Sequence, residues 1–192
     1  MKKIAITGGI GSGKSTVCKV FEQLGFPVFY SDVEAKNILT ENELVKSQII
    51  NLLGEEAYQN NELNRTYISG KIFNDISLKE KMNSIVHPAV RLAFENWATT
   101  QKSKIVFNEA AILFETGAYK NFDSTILVTS PESLKIKRII ARDNCTEQEA
   151  ILRIKNQWAD EDKIKLADFV LNNDESEPLL QQISDLISKF SN

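Results

Sequence analysis

The residues Gly8-Gly9-Ile10-Gly11-Ser12-Gly13-Lys14-Ser15 gather four glycines, two serines and a lysine into one short stretch. Gly8, Gly13, Lys14 and Ser15 fit the spacing G-x-x-x-x-G-K-[ST], which turns successive backbone N–H groups inward toward phosphate oxygens. Side chains at the glycine positions would block that approach. Lys14 is placed to reach β- and γ-phosphates, and the Ser15 hydroxyl to ligate a magnesium ion. A helix opening at Lys14 adds its positive N-terminal end. The competing reading is a glycine-rich surface turn, which needs fewer such residues and no strand and helix on either side. The loop is therefore read as a holder of a nucleoside triphosphate.

Other residues say what happens to the phosphate. A guanine-reading N-K-x-D is missing, since Asn172-Asn173-Asp174 lacks the lysine, and only Asn108-Glu109 approaches the Asp-Glu strand end of a motor ATPase. A small kinase remains. Asp32 follows a strand-like segment, where α/β sheets present ligands. Its alternative role as a helix cap is filled by Ser31 and Glu34, which have capping-box spacing. A carboxylate there suits an acceptor hydroxyl, positioned in line and relieved of its proton. Arg138 and Arg142 are i and i+4 on one helix face, and Arg153 follows. On a closing flap they would neutralise charge on the transferring group. The alternative for Arg142 is to complement its helix's C-terminal dipole. His87-Pro88 holds the only histidine, either as a ligand contact or as a satisfied residue before a new helix. Trp97, Trp158 and the phenylalanines read as core.

These residues need a frame. Lys2 to Thr7 reads as a buried strand, and Lys14 to Leu24 as a helix with Val17, Val20, Phe21 and Leu24 on one face, ended by Gly25. Further strands are expected at 26–30, 104–107, 124–129 and 168–171. Helices are expected from Pro131 to Arg142, after the Thr146/Glu149 capping box, and from Glu177 to Phe190. From 40 to about 102 the pattern is mainly helical, broken near Gly54, at Asn60-Asn61 and at Pro88. Alternating strands and helices predict an α/β fold with a parallel central sheet covered on both faces. The long helical stretch predicts an insertion within one domain spanning 1–192.

The bulk composition agrees with such a fold. The chain has 192 residues, 26% charged and 42% hydrophobic, and a net charge of -3 at pH 7. Its basic residues are scattered, which argues against nucleic acid as a partner. No apolar run has membrane-spanning length, so a cytoplasmic location without membrane association is expected. Cys18 and Cys145 are too far apart in sequence for a CxxC pair, so neither a disulfide framework nor a zinc site is suggested.

The ordered segments IAITGGIGSGKS, SDVEA, VHPAV, ILFE, RIIARDNCTEQEAILRIKNQ and KLADFVLNND cover nearly the whole chain, and in this set the sequence resembles the dephospho-coenzyme A kinase family. The resemblance implies a three-layer P-loop kinase fold with a helical acceptor-binding insertion at about 40–102 and a small helical lid at about 142–160. It implies ATP with magnesium as phosphate donor, dephospho-coenzyme A as acceptor, and phosphorylation of the ribose 3′-hydroxyl. Asp32, Lys14 and Arg142 would be catalytic. The nucleotide would lie on Gly9, Ile10, Gly11, Ser12, Gly13, Lys14, Ser15, Thr16, Arg138, Arg142 and Asn173. The acceptor would lie on Thr7, Asp32, His87, Glu115 and Arg153. Tyr30, Ser31 and Ala111 depart from the family pattern, as does the late pair Asp162-Lys163.

Two rivals stand beside this reading. Another small-acceptor kinase, for a nucleotide or sugar, would want an arginine cluster in the insertion, where only Arg65 and Arg91 occur. A nucleotide-binding regulator would have no need of intact Lys14, Ser15, Asp32 and Arg142. No protein partner is indicated.

Overall fold

A computed structural model describes residues 1–73 and 75–191; Asn74 and Asn192, within the expected ranges 40–102 and 1–192, lie outside the described residues. In chain order, β1 (Lys2–Thr7) leads through the glycine loop into α1 (Lys14–Gln23), followed by β2 (Val28–Tyr30), α2 (Ser31–Glu41) and α3 (Glu43–Leu53). A hairpin of β3 (Tyr58–Gln59) and β4 (Glu62–Leu63) precedes α4 (Arg65–Phe73) and the long α5 (Ile76–Thr100). Then come β5 (Ile105–Glu109), β6 (Ser124–Thr129), α6 (Glu132–Asp143), α7 (Glu147–Lys155), α8 (Asp160–Ile164), β7 (Phe169–Asn172) and α9 (Leu179–Ser191).

The chain divides into two compact units, Met1–Phe29 with Gln101–Asn192, and Tyr30–Thr100. The first is built on a five-stranded sheet in the order β2-β5-β1-β6-β7. Its centre is β1, whose Ile4, Ala5 and Ile6 are fully buried, as expected of a strand covered on both faces. Parallel pairing sets Ile6 opposite Glu109, Thr7 opposite Leu127 and Thr129 opposite Asn172. This register brings the carboxyl ends of four strands to one rim, where α/β sheets hold ligands. Phe21 of α1 stacks on Phe107 of β5 with ring centroids 4.0 Å apart, which fixes the helix after the loop against the sheet.

The second unit has its own core of Ile38, Val45, Ile49, Leu53, Ala57, Tyr58, Ile68 and Val86. Tyr58 donates its hydroxyl proton to the Leu39 carbonyl at 2.6 Å, so its polar tip is satisfied. Asn60 and Asn61 take positive φ and form the two-residue turn that asparagine favours between β3 and β4. The expected break at Asn60-Asn61 is thus a hairpin.

Several expectations change. Pro88 lies inside α5 and does not break it. The ring removes one hydrogen bond at a cost of about 3 kcal/mol, which burial of Val86, Phe94 and Ala98 along the same helix offsets. Ser31 is the first helical residue of α2, and Tyr30 is the capping position. Leu24 is 51% exposed, because α1 ends at Gln23, and Cys18 takes the expected place of Leu24 on the buried face. Trp158 and Phe73 are exposed and not core. The Thr146/Glu149 capping box forms as expected, and Asn144 after α6 takes a left-handed conformation. No helix among the described residues is long and apolar enough to cross a membrane.

Candidate functional site

The glycine loop joins the buried β1 to α1. Gly11 and Gly13 have φ of 79° and 92°, a left-handed conformation that glycine adopts without strain. Gly13 has a second reason to lack a side chain: a Cβ there would collide with the amide of Asn173. Asn173 follows β7 and donates Nδ2–H to the Ser12 carbonyl at 2.9 Å. Arg138 of α6 lies on the same side of the loop. Its Nη1 donates to Ser130 Oγ at 3.0 Å and lies 3.4 Å from the Gly11 carbonyl, while Nη2 donates to the Asn173 carbonyl at 3.1 Å. The structure therefore brings Arg138 and Asn173 together on the loop. Of the loop's own N–H groups, that of Ser12 donates to the Gly9 carbonyl at 3.1 Å and that of Ile10 to Gln157 Oε1 at 2.7 Å.

Lys14 donates to the Gly8 carbonyl at 2.9 Å, and its ammonium is 3.8 Å from Glu109 at the end of β5. A lysine folded on its own loop beside a carboxylate is poised to extend onto a polyanion. Ser15 and Thr16 open the first turn of α1 with exposed side chains. The Ser15 hydroxyl and the Glu109 carboxylate are hard oxygen donors of the kind that suit magnesium. Thr7 is fully buried, and its hydroxyl lies 3.5 Å from the Ala111 carbonyl. The Cys18 thiol, buried behind the loop, is pushed up in pKa by desolvation and stays protonated.

Arg142 and Arg153 meet at one carboxylate. Arg142 holds Asp143 through two bonds of 2.7 and 2.8 Å, and Arg153 Nη1 reaches Asp143 Oδ2. The hydrogen bond from Arg142 leads in holding the Asp143 carboxyl below the usual range. Arg138 and Arg142 both belong to α6 but have different partners: Arg138 lies on the loop, and Arg142 bonds Asp143, which Arg153 of α7 also reaches.

Glu115, in the segment after β5, pairs with Lys163 of α8 at 2.9 Å. Lys163 is fully buried, and Glu115 Oε2 is buried without a hydrogen-bond partner. Lys163 belongs to the late Asp162-Lys163 pair, whose structural partner the sequence did not indicate. Lys135, Gln157 and Asp160 were also missed, though all three touch the loop. The one signal for Lys135 was a lysine four residues before Ile139 on the buried stripe of α6.

In the second unit, Asp32 is exposed in the first turn of α2, directly after β2. His87 lies in α5, where desolvation pulls its imidazole pKa below the ordinary value.

The chain is similar to known proteins. The family model for dephospho-CoA kinase matches residues 2–178. The chain is 36% identical over 187 residues to a dephospho-CoA kinase of Bacteroides fragilis, covering 97% of this chain and 91% of that one. It is 39% identical over 178 residues to one of Salinibacter ruber, covering 91% and 89%. The solved dephospho-CoA kinase from Campylobacter jejuni superposes with a TM-score of 0.70 at 28% identity, covering 98% and 96%.

Proposed function

Because the chain belongs to the dephospho-CoA kinase family, whose reaction is the final step of coenzyme A synthesis, we propose that it transfers the γ-phosphate of ATP to the ribose 3′-hydroxyl of dephospho-coenzyme A, releasing coenzyme A and ADP. The observation that carries this reading is the phosphate loop itself, with left-handed Gly11 and Gly13 braced by Asn173 and Arg138.

The chain's own groups divide the work. The loop N–H groups and the N-terminus of α1 bind the β-phosphate. Lys14 leaves the Gly8 carbonyl and follows the β- and γ-phosphates, where its charge stabilises the transition state. Bound magnesium, held by Ser15 and phosphate oxygens, would supply further charge neutralisation. Asp32 orients the acceptor hydroxyl and takes its proton as the new P–O bond forms and the bond to ADP breaks. Arg142 and Arg153 exchange Asp143 for the transferring phosphoryl group as the 142–160 segment closes as a lid and excludes water. Arg138 and Asn173 flank the nucleotide. Thr7 and Glu115 of the sheet unit are assigned to acceptor binding, and His87 of the helical unit carries the same assignment.

The test is ADP release from ATP and magnesium with and without dephospho-coenzyme A. Release that requires dephospho-coenzyme A, and that a nucleoside monophosphate or a sugar cannot replace, is the expected result. Equal release without acceptor, or with the wrong one, would overturn the assignment.

A further inference from the structure

Three side chains with no role in the mechanism above stand on the phosphate loop. A Cβ on buried Gly9 would lie 3.5 Å from Asp160 Oδ1, 3.5 Å from Lys135 Nζ and 3.6 Å from Gln157 Oε1. A Cβ on Gly11 would lie 2.7 Å from the Lys135 carbonyl oxygen, so α6 is pressed against the loop at this residue. Gln157 Oε1 accepts the Ile10 N–H at 2.7 Å. Lys135 Nζ donates to Asp160 Oδ2 at 2.5 Å, with the two side chains only 8% and 16% exposed.

A loop shaped for a polyanion thus carries a carboxylate against Gly9 and a glutamine oxygen on one of its N–H donors. An ammonium this buried requires a counter-charge, and poor screening makes the choice of counter-charge matter. Asp160 is a single negative charge at the N-terminus of the short α8, whereas a triphosphate on the loop brings several. Both cannot hold the same ammonium from the same side. We propose that Lys135 is a second phosphate-binding cation of this loop and that Asp160 is its counter-ion in the empty state, displaced together with Gln157 when the triphosphate binds. In this exchange Lys135 trades one anion for another. The inference rests on the loop holding ATP.

The experiment measures dissociation constants of ATP and of adenosine, which lacks phosphate, for wild type, Lys135→Met, Asp160→Asn and the double variant. ATP binding by the wild type secures the functional reading; its absence would overturn that reading and this inference with it. Lys135→Met is expected to weaken ATP about tenfold or more and Asp160→Asn to tighten it, with adenosine unchanged for both. In the Lys135→Met background, Asp160→Asn is expected to have lost most of its effect. Variants that weaken ATP and adenosine alike would make the pair a fixed brace of the fold and overturn the proposal, as would unchanged ATP affinity.

Discussion

The amide of Asn173 occupies the space that a side chain on Gly13 would need, and donates to the Ser12 carbonyl at 2.9 Å. The last glycine of the loop is thus required by the end of β7. Gly13→Ala meets both objections, a collision with Asn173 and a φ of 92°. The strain alone is about 1–2 kcal/mol. Thermal unfolding should show a lowered Tm, and ATP affinity should fall on the order of tenfold or more. A variant with wild-type Tm and affinity would remove this account of the loop.

Asp32→Asn should keep ATP affinity and lower kcat by about 10²–10⁴-fold, the usual contribution of a positioned general base. The comparison of kcat with the nucleotide dissociation constant separates the roles. Near-normal turnover would take Asp32 out of the mechanism.

Lys163→Met strands the Glu115 carboxylate, whose Oε2 is already without a hydrogen-bond partner. Breaking one side of such a buried pair costs about 3–5 kcal/mol. Adding Glu115→Gln to Lys163→Met should recover much of that stability in denaturant titrations. If the double variant is no more stable than the single one, the pair is not coupled.

His87 has a pKa lowered by desolvation from its ordinary value of 6.5. The unfolded chain therefore binds the proton more readily than the folded one, and stability contributed by the neutral imidazole is present above pH 6.5 and lost as pH falls through the lowered value. His87→Gln should flatten that part of the stability profile. As the only histidine, it gives an unambiguous NMR titration, and a folded-state value at or above 6.5 would contradict the prediction.

The loop and central strands were legible because their signals are local. Gly8 to Ser15 is a fixed pattern, β6 has the expected limits Ser124–Thr129, and the Thr146/Glu149 box closes within four residues. Misreadings arose where tertiary packing outweighs local preference. Pro88 reads as a helix breaker, yet α5 packs on α2 and α3 through enough buried surface to continue past it. Ser31 and Glu34 have capping-box spacing, but β2 runs directly into α2 and leaves Ser31 inside the helix. Lys135, Asp160 and Lys163 look like solvated charges, because the partners that bury them are 25 or more residues away.

The central claim is phosphoryl transfer to one defined hydroxyl, and the most direct measurement is the structure of the product. Dephospho-coenzyme A incubated with the protein, ATP and magnesium should gain the mass of a single phosphate, and NMR coupling should place that phosphate on the ribose 3′ oxygen. An unmodified acceptor while ATP is hydrolysed, or a phosphate at another position, would contradict the account.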